Sequence, residues 1–154
     1  MRANTRIFGE IDIPQEKIIT MEKGMIGFPD LTHYTLIYNS EKENRKSTIM
    51  WLQSMDDGDM AFPVMTPDII MPDYKPFVNE EILAPLGELN EENMYMLVTV
   101  NVPRDITQIA CNLKAPIIIN TDTNKAAQII VEDDFKVHFP IYDIIKGNKE
   151  RAGE

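Results

Sequence analysis

The sequence predicts an all-β domain: a small, strongly bent antiparallel sheet forming a partly open β-barrel, with one short helical segment near 79–87. Three observations carry this prediction. Short runs rich in β-branched and aromatic residues recur with turn residues between them, the pattern of a sandwich or barrel. Two of the runs, MYMLVTV (94–100) and PIII (116–119), are apolar at successive positions. Both faces of such strands need cover, which a closed or strongly bent sheet supplies. The ten prolines and seven glycines fall mainly between the runs, where turns and strand ends tolerate them.

Taken in order, the first run is 6–13, broken at Gly9, and the second is YTLIY at 34–38. The third, 48–53, reads TIMWLQ and is apolar on both faces, which places Trp51 in the interior. Its successor, AFPVM at 61–65, is reached through SMDDGDM at 54–60. Asp and Gly both tolerate the positive φ of a tight turn, so 54–60 is a hairpin tip. Asn79 can cap a helix, Glu80 and Glu81 suit its positive end, Gly87 closes it, and Pro85 limits it to a turn or two. Strands then follow at 94–102, 106–111, 116–120, 126–132 and 136–141, with Met65 and Met94 assigned to the core. One domain over 1–145 and a polar, frayed tail over 146–154 complete the reading.

At 154 residues the chain has the size of one domain with a substantial core. No apolar run reaches the ~18–20 residues that span a bilayer, and MRANTRIFGEI lacks the apolar stretch of a secretory signal. The expected location is the cytoplasm, without membrane contact. The single cysteine, Cys111, fits a reducing compartment and reads as a small buried residue. Net charge is −10, and the stretch 54–93 holds ten acids against Lys75, a local −9. Nucleic-acid binding requires cations that replace phosphate counterions, so this acidic surface excludes it and suits a basic protein partner or solvent.

Motifs for chemistry are scarce. DDGDMAFPVM runs into apolar residues after Asp59 and lacks the distal glutamate of an EF-hand, so no metal is expected there. His33 and His138 have no second histidine or cysteine at zinc-site spacing. No glycine-framed serine elbow and no phosphate loop occurs, and carboxylate pairs in a chain with 25 acids arise by chance. Neither catalytic residues nor a cofactor are expected. The unusual feature is apolar material mixed with acid, for methionine adapts its shape at surfaces that accept a protein. Met71, Tyr74 and Phe77, in the proline-rich MPDYKPF loop, stand as candidates for exposure. The candidate partner surface is Met55, Asp56, Asp57, Asp73, Tyr74, Phe77, Glu80 and Glu81, on loops that converge at one end of a barrel.

KGMIGFPDL (23–31), WLQSMDDGDMAFPVMTP (51–67), LVTV (97–100) and NLKAPIIIN (112–120), followed by Gln128-Ile129-Ile130, resemble in order and spacing the flagellar assembly factor FliW family. Ile26 stands where that family often has proline, and Ala126-Ala127 where glycine or a basic residue is common. The resemblance implies a small β-barrel without catalytic activity that binds flagellin in the cytoplasm in a chaperone-like role. It also implies binding to the carbon storage regulator CsrA, a small basic RNA-binding dimer, whose repression of flagellin translation is relieved when flagellin is depleted. The chain itself is expected to be monomeric. Two readings of other classes compete: a metal-dependent or carboxylate-based enzyme on a β-barrel, and a module that binds a small ligand inside the barrel. They need converging carboxylates and an apolar cavity, respectively.

Overall fold

A computed structural model describes residues 1–38 and 49–153. Thr48, at the start of the third expected run, lies outside the described residues. The strands within them are β1 (Arg2–Thr5), β2 (Gly9–Asp12), β3 (Ile19–Thr20), β4 (His33–Ile37), β5 (Met50–Ser54), β6 (Ala61–Met65), β7 (Met94–Asn101), β8 (Ala110–Cys111), β9 (Ile117–Asn120), β10 (Lys125–Gln128) and β11 (Phe139–Pro140). The helices are α1 (Glu80–Leu83) and α2 (Tyr142–Gly153).

The sheet β3-β4-β5-β6-β7-β9-β10 closes on itself, so the expected all-β barrel is the observed fold, with its seam shut rather than partly open. Closure depends on the length of β7. Its first half, Met94 to Leu97, pairs with β9, its second half pairs with β8 through Val100 and Asn101, and Val98 and Thr99 meet β6. All these pairs are antiparallel except the last joint, where β3 runs parallel to β10 through Thr20 opposite Lys125. β1 and β2 form a separate two-stranded hairpin.

Both faces of the barrel wall are covered, as the doubly apolar runs require. Inside lie Met21, Tyr34, Leu52, Val64, Leu97, Ile117 and Ile119. The next residues along the same strands face outward into separate clusters. Met65 and Val98 pack with Ile70, Tyr74, Leu113 and Ile141, while Ile118 packs with Leu86 and Ile129 beneath the α1 segment. Leu97 and Val98 are both fully buried for this reason.

Four expectations need correction. Trp51 is half-buried, because it faces outward between Ile37 and Pro63 and its cover is Phe8 of the β1–β2 hairpin, edge-on at 6.5 Å. Met94 is 40% exposed, because it opens β7 at the barrel rim. Residues 106–108 form a 3-10 turn instead of a strand, because the Asp105 carboxylate accepts from Thr107 N at 3.1 Å and from its hydroxyl at 2.6 Å. Residues 146–153, expected as part of a frayed tail, continue α2, which begins where Ile141, Tyr142, Ile144 and Ile145 pack on the outer cluster.

Candidate protein-partner surface

The hairpin tip between β5 and β6 is built by its own polar groups. Ser54 Oγ accepts from the amides of Asp56 (3.1 Å) and Asp57 (3.0 Å), and the Asp57 carboxylate accepts from Asp59 N at 3.0 Å. Buried Gln53 donates to the carbonyls of Ser54, Gly58 and Met60, locking the tip from within. Gly58 presses on the first hairpin: its carbonyl accepts from Arg6 N at 3.0 Å, and a Cβ there would collide with the Asn4 backbone.

Asp56 has a further role. Its carboxylate accepts from Thr32 N at 2.8 Å and His33 N at 2.9 Å, and lies 3.2 Å from His33 Nδ1. Partial burial works against the charged form, but the His33 and Thr32 amides and the His33 ring outweigh it and hold the pKa below the usual carboxylate value. The charge on Asp56 is therefore committed to fastening the start of β4. Met55, expected at the surface, is buried at 6% exposure, and its amide donates to the His33 carbonyl at 2.8 Å, which holds it against the start of β4.

The MPDYKPF loop divides residue by residue. Tyr74, also expected at the surface, is buried: its hydroxyl donates to the Leu113 carbonyl at 2.6 Å and its ring meets Phe135 edge-on at 4.8 Å. Burial drives that hydroxyl well above the ordinary tyrosine pKa. Met71 is half-buried. Phe77 is 75% exposed, and its amide is held by the Asp133 carboxylate at 3.1 Å, so the aromatic ring stands out from an anchored backbone. Asp73, Glu80 and Glu81 are exposed. Asn79 Oδ1 accepts from Glu81 N at 2.8 Å, which starts α1 as expected, and a 3-10 turn (Ala84–Leu86) carries it to Gly87 at φ 96°.

The two halves of the predicted surface do not converge. The tip lies at the Ser54 end of the β5–β6 hairpin, against Asn4, Arg6 and His33, whereas the chain leaves β6 at Met65 to reach a neighbourhood of Leu113, Asp133 and Phe135. What the structure does assemble is Phe77 with the acids of its own loop, the start of α1, and a set that sequence reasoning missed: Glu132 and Asp134, exposed on either side of Asp133. The run of three acids before Phe135 was the available signal. Among the described residues, no three His, Cys, Asp or Glu side chains are grouped to hold a metal, and no helix is long and apolar enough to cross a membrane.

Fold and surface together define a closed seven-stranded barrel that displays its acidic and aromatic groups on loops outside a packed interior. The family model described as FliW protein matches residues 2–141, and the chain belongs to the FliW family. It is 45% identical to the flagellar assembly factor FliW of Lachnospira eligens, with 95% of this chain and 97% of the relative covered. It is 41% identical to that of Lachnoclostridium phytofermentans, with 97% of each covered. A crystal structure of the flagellar assembly factor FliW shares the fold, with a TM-score of 0.83 over 92% of this chain and 97% of the other at 22% identity. These relatives carry the name of an assembly factor, not of an enzyme.

Proposed function

We propose that this chain is a non-catalytic flagellum assembly factor of the cytoplasm that, as a monomer, binds flagellin and the translational repressor CsrA. While flagellin occupies the protein, CsrA is free to repress; when flagellin is exported, the protein captures CsrA and flagellin translation resumes. The observation that supports this best is the surface around Phe77. An exposed aromatic on an anchored backbone loses little freedom on binding, and the acids beside it, Asp73, Glu80, Glu81, Glu132 and Asp134, suit a basic RNA-binding partner. The rival small-ligand reading lacks such support, because Met21, Tyr34, Leu52, Leu97 and Ile117 fill the barrel.

The test is binding kinetics of the purified chain with CsrA and with flagellin. Replacing Asp73, Glu80 and Glu81 together by lysine is expected to lower the CsrA on-rate by about tenfold or more at low salt without unfolding the chain. Phe77→Ala is expected mainly to speed dissociation. A folded triple variant with unchanged CsrA rates at low salt would remove this surface from the proposal.

A further inference from the structure

The weakest joint of the barrel is the one between β3 and β10, and it opens into a groove. β3 pairs with β10 only through Thr20 and Lys125, after which the chain turns away: Met21 N bonds to the Thr32 carbonyl, and Gly24, at φ 68°, reverses the backbone. The Gln128 side chain straps the gap by accepting from Ile26 N at 2.8 Å and donating to the Ala115 carbonyl at 3.1 Å. Between these parts lies a groove of about 330 Å3, floored by β10 and walled by the 20–26 loop on one side and Ile82, Pro85 and Leu86 on the other.

Two features say what fits there. One is an open strand edge. Ile129 and Val131 donate to Pro116 and Lys114 on the β9 side, so the alternation of the ladder turns the backbone of Gln128 and Ile130 the other way, toward the groove, where no described strand pairs with it. The other is side-chain chemistry. Ile26, Ile82 and Ile130 are 50%, 51% and 63% exposed around the groove. Its lining holds Lys23 and Lys125 against Glu22, a cationic balance in a molecule of net charge −10. Neither lysine forms an ion pair among the described residues. A basic partner suits the Phe77 face and is disfavoured here.

We infer that this groove seats an extended, apolar, carboxylate-bearing segment of flagellin, which adds to the free edge of β10 as a further strand. The assignment rests on the proposed flagellin binding and gives the two partners different faces, the cationic groove for flagellin and the acidic Phe77 face for CsrA. These faces meet at α1: Ile82 walls the groove and Glu80 and Glu81 belong to the acidic face, so one bound partner obstructs the other. Apolar side chains of the segment cover Ile26, Ile82 and Ile130, its carboxylates meet Lys23 and Lys125, and its backbone satisfies Gln128 and Ile130.

The experiment compares the full-length chain with Ile130→Asp and with Lys23→Glu/Lys125→Glu, measuring affinity for flagellin and for CsrA. Amide hydrogen exchange of the wild-type chain is followed with each partner. Expected are a loss of flagellin affinity of about tenfold or more in each variant, CsrA affinity within about twofold of wild type, and slowed exchange at Gln128 and Ile130 with flagellin only. Flagellin binding to wild type and both variants alike, or slowed exchange that spares β10, would overturn the groove and leave the flagellin reading standing. No flagellin binding by wild type would overturn both. Slowed exchange at Gln128 with CsrA would overturn the separation of sites.

Discussion

Asp56 illustrates how a charge on the surface can belong to the fold instead of to a partner. It accepts two amides and faces the His33 ring, so Asp56→Asn, which keeps one acceptor oxygen but loses the charge, is expected to lower stability by about 1–2 kcal/mol in urea denaturation. The folded pKa lies below the unfolded value of 3.8, so this contribution is present above that pH and fades as pH falls through the folded pKa. The variant should therefore flatten the acid limb of stability against pH while CsrA kinetics stay unchanged; a loss of CsrA binding by the folded variant would return Asp56 to the interface. Tyr34 acts at the other end of the scale. Burial pushes its hydroxyl from 10.0 up to about 12, so its contribution is complete below pH 10.0 and lost as pH rises toward 12. Tyr34→Phe should reduce the alkaline loss without removing it, since burial also raises Tyr74 and Cys111. At this scale the sequence showed that the DDGD stretch makes a turn. It did not show which aspartate is tied down, because His33 lies 23 positions from Asp56.

Elements formed where local chemistry was strong. The Asn79 cap, the Glu80-Glu81 start and the Gly87 stop placed α1 correctly, and β4 to β7 fall within a residue or two of the apolar runs. Elements made by pairing alone were illegible: β3 has two residues, and only β4 and β10 on its flanks define it. α2 is not legible because GNKERAGE lacks an apolar period, and of the residues that dock the helix, Ile141, Tyr142, Ile144 and Ile145, only Ile141 falls in an expected element, the strand 136–141. The N-terminal hairpin depends on another close approach, at Gly58. Gly58→Ala would drive its methyl group into Asn4, at a cost of about 1–3 kcal/mol by overpacking, and push the hairpin off the tip. Faster amide exchange across β1 and β2, and redder Trp51 emission as Phe8 withdraws, are the expected signatures. Unchanged exchange and emission would mean that the hairpin is held by other contacts.

For the whole molecule, charge governs encounter. With −9 of the net −10 in 54–93 and further acids at 132–134, association with a basic partner should be steered from a distance and screened as the Debye length shortens to ~8 Å at physiological ionic strength. The CsrA on-rate is expected to fall steeply from low to physiological salt and the flagellin on-rate much less; stopped-flow measurements over that range check this, and equal salt slopes would contradict two sites of opposite charge. The sequence by itself determined the barrel, the doubly covered strands, the tip and the helix start, because hydrophobic alternation, turn chemistry and capping act between neighbours along the chain. Only the tertiary structure decided that the barrel closes, that Met55 and Tyr74 are buried, that Phe77 stands beside Glu132 and Asp134, and that a groove remains at the β3–β10 seam. Those outcomes depend on which surfaces meet across 20 to 100 positions of sequence, as when Gln128 reaches Ile26 over a separation of 102 residues, and no local pattern encodes such a meeting.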